Sequence, residues 1–307
     1  MTQTLLRTVL IALSLVVGTA ACAGDVEDGD AALERKDYAT ALKKYKNAAE
    51  KSDAYAQFQV GNFYKESLGV VRDYAEAARW YKMAAAQGDT TAQYNLGFMY
   101  ENGQGIVQDY AEAMRWYKLA AAQRNSRAQY NIGVMYNNGH GVVQDYAEAV
   151  RWYRLAAAQG ISLAQFNIGN MYYGGLGVVR DYAEAVRWYE LAATQGNLRA
   201  QYNLGAMYDN GQGVAKDHAK AMHWYMLAAA QGHLTAQYNL GIMYNNGQGV
   251  VQNYVRAHMW INLAAVNGNS DAVKNRDIVA AKMSTQQIAE AQKMARECQA
   301  RNFKGCD

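Results

Sequence analysis

Apolar residues recur along this chain at helical spacing, in short segments separated by glycine-containing breaks. Within residues 89–123, the first segment places its apolar side chains on one face of a predicted helix: Ala92, Leu96, Met99 and Tyr100. The glycines of the following NGQG can adopt positive φ and end that helix. The next segment has a second apolar stripe: Ala113, Trp116, Tyr117, Ala120 and Ala121. The pattern predicts a hairpin of two helices.

The same pattern returns every 36 residues. All six tryptophans lie on this period: Trp80, Trp116, Trp152, Trp188, Trp224 and Trp260. Such a period indicates stacked units, because one helix pair cannot bury its apolar face alone. We therefore predict an all-α fold, an α-solenoid of stacked antiparallel helix pairs. The recurring small residues Gly97 and Ala113 predict where the two helices of a pair cross, and the tryptophans are expected to face neighbouring pairs.

Polar residues predict where helices begin. Asp109 is expected to cap the second helix of its pair, with Glu112 returning the bond as a capping box. Near the end of the chain, Ser284 and Gln287 predict another capped helix that runs to about Gln299.

The register sets the predicted boundaries. Residues 37–267 are assigned to the repeat array, one leading helix followed by six helix pairs, and residues 268–307 to a C-terminal helical cap. The leading helix carries Lys44 at the tryptophan position, which is expected of a terminal helix whose outer side faces water.

The N-terminus has the order of an export signal. Arg7 precedes the apolar run of residues 9–17, and small residues follow, so residues 1–23 are predicted to be a signal peptide and residues 24–36 a linker. The alternative is a buried N-terminal helix. The run is too short to span a membrane, and no other stretch qualifies. The protein is therefore expected to be exported, either periplasmic or secreted.

The cysteines leave two questions open. Cys22 resembles the lipidated residue of a lipoprotein signal, although Thr19 stands where an aliphatic residue is preferred. Cleavage after Ala23 would instead discard it, and this is the favoured alternative. Cys298 and Cys306 then form a candidate disulfide in an oxidising compartment, against the alternative of two free thiols.

Composition and motifs argue against several classes of function. The net charge is only +3, and 22 of the 24 tyrosines lie in repeat columns, so nucleic-acid binding is not expected. The recurring GQG lacks the residues of a phosphate loop. The histidines are too dispersed for a metal site, and no serine begins S-x-x-K. We expect no enzyme and no cofactor.

The repeated string A-x-x-x-L-G-x-x-Y-x-x-G-x-G-V-x-x-D-Y-A-E-A-x-x-W-Y-x-x-A-A resembles the Sel-one-like repeat (SLR), a relative of the tetratricopeptide repeat. The resemblance covers residues 37–267. It implies a right-handed superhelix that serves as an adaptor for other proteins, with the first helix of each pair lining a concave groove. Some cysteine-rich members of that family are described as binding or slowly hydrolysing β-lactams, but their one disulfide per repeat is absent here.

On that mapping, the groove would be lined by an aromatic row, an asparagine row and three variable columns. The aromatic rings offer flat contact area, and the asparagines suit an extended peptide backbone or, equally, bond to their own neighbouring repeat. The candidate partner-binding residues are Tyr94, Asn95, Arg127, Tyr130, Asn131, Val134, Phe166, Asn167, Asn170, Tyr173, Tyr202 and Asn203. The centre of the groove is expected around Arg127, Val134, Phe166, Asn170 and Tyr173.

The functional hypothesis is an exported scaffold that binds a protein or peptide partner in this groove, in the bacterial cell envelope. Two alternatives remain: an envelope enzyme acting on β-lactam or cell-wall substrates, and a secreted factor that acts on a host cell.

Overall fold

A computed structural model describes residues 24–306 of the chain. The predicted signal peptide, with Cys22, lies outside these residues. Between residues 24 and 306 the chain forms sixteen helices and no strand. Contacts divide it into two compact units, the first ending at Asp145 and the second beginning at Tyr146. No helix within this range is both long and apolar enough to cross a membrane.

The first unit contains seven helices: α1 (residues 24–34), α2 (Tyr38–Glu50), α3 (Ala54–Glu66), α4 (Tyr74–Ala86), α5 (Thr90–Asn102), α6 (Tyr110–Ala122) and α7 (Ser126–Asn138). The second unit contains nine: α8 (Tyr146–Ala157), α9 (Ser162–Gly174), α10 (Tyr182–Thr194), α11 (Leu198–Asn210), α12 (His218–Ala229), α13 (Leu234–Asn246), α14 (Tyr254–Val266), α15 (Ser270–Ala280) and α16 (Thr285–Ala300). Within each unit, consecutive helices pack as pairs, which confirms the predicted all-α solenoid class.

The glycine column marks where the helices of a pair cross. A Cβ atom placed on Gly97 in α5 would lie 2.7 Å from Cδ1 of Tyr117 in α6. The same contact joins Gly61 to Tyr81 in α3 and α4. Tyr117 and Tyr81 are fully buried. Only a residue without a side chain lets the tyrosine ring lie flat against the backbone at this crossing, as the sequence predicted.

The tryptophans face the preceding helix pair. Trp80 of α4 belongs to the core of α1, α2 and α3, and Trp116 of α6 packs with residues of α4 and α5. One detail of the helix start differs from expectation. Asp109 caps α6 by accepting from the amides of Ala111 and Glu112, but the Glu112 side chain does not return the bond. It accepts instead from Trp116 Nε1 at 3.1 Å, because the indole lies one helical turn away.

Residues 24–36, assigned to a linker, are mostly helical, and this prediction is wrong. In α1, Gly29 packs on the Tyr45 ring of α2, where an added Cβ would lie 2.9 Å from Cε1. Ala32 is fully buried, and the Tyr45 hydroxyl donates to Asp30 at 2.5 Å. Helices α1 and α2 therefore form a hairpin of their own, joined by a shorter connection than in the repeats.

The hairpin of α1 and α2 also corrects the expectation for Lys44. Its ammonium group lies 2.7 Å from an oxygen of Asp28 and 3.4 Å from one of Asp25, both on α1. Lysine replaces tryptophan here because the helix that covers this position presents carboxylates. The Lys44 side chain therefore pairs with the preceding helix α1 and is not simply exposed to water.

The repeat register continues beyond Gly268, where it was expected to end. In α15, Ala272 and Val279 are buried at positions equivalent to Ala92 and Met99. Helix α16 follows with the predicted capping box at its start. Cys298, near the end of α16, forms a disulfide with Cys306, and both are buried.

A column of buried glutamines was missed in the sequence because glutamine is usually a surface residue. Gln93 is almost fully buried, and its amide nitrogen donates to the Ala85 carbonyl at the end of the preceding helix. Its side-chain oxygen accepts from Gln123 Nε2, at the end of the following helix, at 3.0 Å. Equivalent bonds join Gln57 with Gln87, Gln165 with Gln195, and Gln201 with Gln231.

In the last repeat this bond is missing. Asn267 stands at the donor position, one methylene shorter than glutamine, and it donates to Leu263 instead. As a result, Gln237 Oε1 is buried with no hydrogen-bond partner among the described residues. Leaving a buried acceptor unpaired typically costs about 1–3 kcal/mol.

Replacing Asn267 by glutamine is therefore expected to stabilise the protein by about 1 kcal/mol, because the longer side chain can reach Gln237. Chemical denaturation measures the change. The matched control reverses it one repeat earlier: Gln231→Asn should destabilise by a similar amount, since it removes the 2.8 Å bond to Gln201. A loss of stability in Asn267→Gln would contradict this account of the glutamine column.

Candidate functional site

The candidate residues lie on the first helices of the pairs, on one face that we call the groove face. It consists of the positions equivalent to Thr91, Tyr94, Asn95, Phe98 and Glu101 of α5. These positions in α5, α7, α9, α11 and α13 are half-buried or exposed, with the exception of Phe166. The groove face is described separately for each unit.

In the second unit, four predicted residues surround one pocket of about 340 Å³. Its lining residues come from α9, α10, α11 and the loop after α11: Asn170, Tyr173, Tyr189, Tyr202, Asn203, Ala206, Met207 and Gln212. Tyr173 is 40% exposed at the rim, with its ring edge-on to Tyr182 at a centroid distance of 5.2 Å. None of the lining side chains is charged. The pocket thus combines aromatic walls with neutral donors and acceptors.

In the first unit, three predicted residues surround a shallow depression of about 340 Å³. Tyr94, Asn95 and Arg127 line it, together with Thr91 of the same variable column as Arg127. The other lining residues were not singled out in the sequence: Arg124, Asn125 and Ser126. Arg124 could have been found by comparing repeats, because the equivalent position is glycine in every other repeat. This depression contains two guanidinium groups, which makes it chemically unlike the pocket of the second unit.

The rings of the aromatic row expose less surface to a partner than the sequence suggested. Each ring packs against the buried tyrosine of its own hairpin, at the same tilted angle: Phe58 on Tyr81, Tyr94 on Tyr117, Phe166 on Tyr189 and Tyr202 on Tyr225. The centroid distances are 5.8 to 5.9 Å. Phe166 is only 8% exposed, so its role as a contact residue is corrected to a core residue. Tyr94, Tyr130 and Tyr202 remain half-buried.

For the asparagine row, the structure favours the second of the two alternatives, a bond to the neighbouring repeat. Asn131 of α7 donates to the hydroxyl of Tyr117 in α6 at 2.9 Å. Asn95, Asn203 and Asn239 interact in the same way with the preceding tyrosines Tyr81, Tyr189 and Tyr225. Asn167 occupies the equivalent half-buried position in α9. These amides orient the polar groups of the groove face and join adjacent hairpins.

The buried tyrosine hydroxyls reach the groove face from below. Tyr189 donates to Asn170 at 2.7 Å, and Tyr117 donates to Glu101 at 2.6 Å. Burial raises the pKa of Tyr189 to about 12, although the hydrogen bond from Asn203 opposes the shift. Burial, and then the Glu101 charge, raise the pKa of Tyr117 far above its ordinary value. Both hydroxyls therefore stay protonated donors at neutral pH.

The residues predicted for the centre of the groove belong to different units. Arg127 is exposed and Val134 half-buried in the first unit, whereas Asn170 and Tyr173 line the pocket of the second. Between residues 24 and 306, no group of three or more His, Cys, Asp or Glu residues could hold a metal ion. The arrangement supplies contact surface, hydrogen-bond donors and acceptors, and positive charge.

Two solved structures share this architecture. The protective antigen c5321, present in uropathogenic Escherichia coli strains and displaying an SLR fold, is 30% identical over 92% of this chain and 70% of its own, with a TM-score of 0.59. A Sel1 repeat protein from Oxalobacter formigenes is 34% identical over 78% of this chain and 96% of its own, with a TM-score of 0.68. No curated protein matches the chain.

The Sel1 repeat model matches six consecutive segments of 36 residues: 54–89, 90–125, 126–161, 162–197, 198–233 and 234–269. The first match begins at α3, so the hairpin of α1 and α2 precedes it. Proteins with this repeat are generally non-catalytic scaffolds that bind other proteins. With six matched repeats and two similar structures of the same fold, the chain belongs to the Sel1 repeat family.

Proposed function

We propose that this protein is an exported adaptor of the bacterial cell envelope, and that it binds an extended segment of a protein partner along its groove face. The family provides the general role of a protein-binding scaffold. The groove face provides the specific surface, because three of its five columns, those of Thr91, Phe98 and Glu101, vary between repeats while the packing residues beneath them stay constant.

The pocket of the second unit is the observation that carries the proposal. Its volume of about 340 Å³ can hold one large side chain. Asn170, Asn203 and Gln212 offer amide groups at its wall, which match the polar groups of a peptide backbone. Tyr173 and Tyr202 add rigid aromatic contact area, the kind of residue that dominates binding energy at interfaces.

Export is supported by the signal-like order of residues 1–23 and by the Cys298–Cys306 disulfide, since disulfides persist mainly in oxidising compartments. Similarity to a protective antigen also supports an exported location. Labelling cells with palmitate, and comparing the natural chain with Cys22→Ala, distinguishes a lipid-anchored protein from one cleaved after Ala23.

The partner can be identified by placing a photoreactive amino acid at Tyr173 and crosslinking in intact cells. The double variant Tyr173→Ala with Ala206→Arg is then expected to weaken capture of that partner at least about tenfold, or about 1.4 kcal/mol. The arginine would fill the pocket, and the alanine removes the rim aromatic. Larger residues already stand at the equivalents of Ala206, namely Phe98, Val134 and Ile242, so folding should be preserved.

Leu191→Ala is the matched control, because Leu191 is 49% exposed on α10 and does not line the pocket. It should leave capture unchanged. Capture that survives in the Tyr173 and Ala206 variant, with an unchanged melting temperature, would place the binding surface elsewhere.

A further inference from the structure

The repeat of residues 126–161 begins differently from the others. The residue two before its first helix is Arg124, with a φ of 64°. Four of the other repeats, and helix α15, have glycine there, also at positive φ: Gly88, Gly160, Gly196, Gly232 and Gly268. Before α3 the position holds Ser52, with a φ of 69°. An arginine tolerates this left-handed conformation poorly, whereas glycine adopts it freely. Arg124 is the only arginine at this position in the described repeats, and it adds a positive charge that the turn itself does not require.

Arg124 shares its surroundings with a second arginine, Arg127, which belongs to the groove face. Both line the same depression of about 340 Å³, and Arg127 lies in the first turn of α7. The equivalents of Arg127 are Thr91, Leu163, Arg199 and Thr235, so no other repeat places two arginines here. No carboxylate lines the depression.

Within residues 24–306, neither guanidinium lies within 4.0 Å of a carboxylate. The second-helix arginines behave differently: Arg79, Arg115, Arg151 and Arg187 each pair with the glutamate three residues earlier. The charge of the depression is therefore uncompensated, while arginines that serve only the helix surface are neutralised locally.

Neutral donors surround the two guanidinium groups. Thr91 and Ser126 contribute hydroxyls, Asn95 an amide, and Tyr94 a phenol, all lining the same space. The positive charge of Arg127 lowers the pKa of Tyr94, against the larger effect of burial, which raises it. Planar guanidinium groups bind carboxylates through paired, charge-assisted hydrogen bonds.

We propose that this depression binds the carboxylate of an aspartate or glutamate side chain in the partner segment. The proposal deepens the proposed function, on which it rests, by naming the kind of side chain that the groove face of the first unit recognises. An acidic side chain fits because its two carboxylate oxygens can accept from both guanidinium groups, and its negative charge offsets one of their two positive charges. Since this pair occurs in one repeat only, it gives the first unit one preferred position for an acidic side chain.

The test needs no natural partner. Full-length protein with ¹⁵Nε-labelled arginine is titrated with a peptide of four alanines around a central glutamate, both ends capped. The Arg124 and Arg127 signals are expected to shift, with an affinity that weakens as salt is added. The same peptide with central glutamine should shift neither signal. Equal responses to both peptides would overturn the proposal.

Two further peptides separate the sources of the anion. A glutamine peptide with a free C-terminus presents only a terminal carboxylate, and a capped phosphoserine peptide presents a phosphate. Stronger binding of the capped glutamate peptide than of either supports the proposal. A response to the terminal carboxylate alone, or to the phosphate alone, contradicts it.

The double variant Arg124→Gly with Arg127→Thr installs residues that other repeats already carry, so its stability should not fall. It is expected to weaken glutamate-peptide binding about tenfold. Arg115→Gln is the control, because Arg115 is paired with Glu112 and should not contribute. The glutamate-peptide titration needs neither the natural partner nor the Tyr173 and Ala206 variant. If peptide binding fails while partner capture still depends on Tyr173 and Ala206, only the arginine proposal is overturned and the adaptor role stands.

Discussion

Replacing Gly205 by leucine is expected to lower the free energy of unfolding by at least about 1–3 kcal/mol. A Cβ atom on Gly205 in α11 would already lie 2.5 Å from Cδ1 of Tyr225 in α12. Tyr225 is 1% exposed, so its ring has no free space into which it could move. The remaining leucine atoms must then push the two helices apart. Chemical denaturation followed by circular dichroism measures the loss.

Gly174→Ala in the same unit is the matched control. Gly174 lies in the last turn of α9, has no positive φ, and an added Cβ would meet only the end of the Leu176 side chain, at 3.3 Å. Its effect should remain within about 0.5 kcal/mol. Unchanged stability in Gly205→Leu would mean that α11 and α12 do not cross at this glycine.

Acidification is expected to destabilise the second unit through two histidines. Burial lowers the pKa of His258, and the nearby Arg276 lowers it further while Asp277 opposes. Burial likewise lowers the pKa of His233, whose Nδ1 accepts from the Ala236 amide as a helix cap. A protonated ring cannot accept at that nitrogen. Both residues therefore favour the neutral form in the folded state.

The direction follows from proton binding. Below the ordinary histidine pKa of 6.5, the unfolded chain takes up protons that the folded chain resists. The stabilisation is thus complete above about pH 6.5 and is lost as the pH falls through the lowered folded values. Melting temperatures measured between about pH 7.5 and about pH 5.5 should decrease.

A double variant tests the assignment. His233→Asn keeps a capping residue, as Asn197 does at the equivalent position, and His258→Met installs the residue found at Met114 and Met222. This variant should lose much less stability on acidification than the natural chain. His223→Arg, an exposed change to the residue of other repeats, should not alter the slope. Equal acid sensitivity in all three proteins would show that other groups are responsible.

The packing of the repeats was predictable because it recurs. Gly97 and Tyr117 have copies in the other repeats, so the requirement for a small residue at the crossing is visible in the sequence. The same periodicity located the groove face. It brought Asn170, Tyr173 and Asn203 onto one predicted surface, and they line one pocket.

Two kinds of feature could not be predicted from the sequence. Some occur only once in the chain, and others use a residue type that usually has a different role. Helix α1 has no periodic equivalent, because its connection to α2 is shorter than the connection within a repeat. Phe166 and Tyr94 share a column, yet Phe166 is buried and Tyr94 half-buried, a difference that depends on local packing. Gln129 and its equivalents resemble surface residues by composition. Only their presence in every repeat, directly after a buried alanine, could have indicated a buried role.

The glutamine column has a consequence for how such a chain can change in length. Each glutamine pair, such as Gln93 with Gln123, lies inside one matched segment, 90–125. The third contact, from Gln93 to Ala85, reaches a residue that every segment supplies in the same place. Duplicating or deleting a whole segment therefore leaves each buried amide with the same kinds of partner. Insertion of a few residues between the paired positions would separate them. Duplication of a segment that contains the glutamine pair can thus lengthen the protein without adding an unpaired buried amide, whereas a copy of 234–269 would add a second acceptor like that of Gln237.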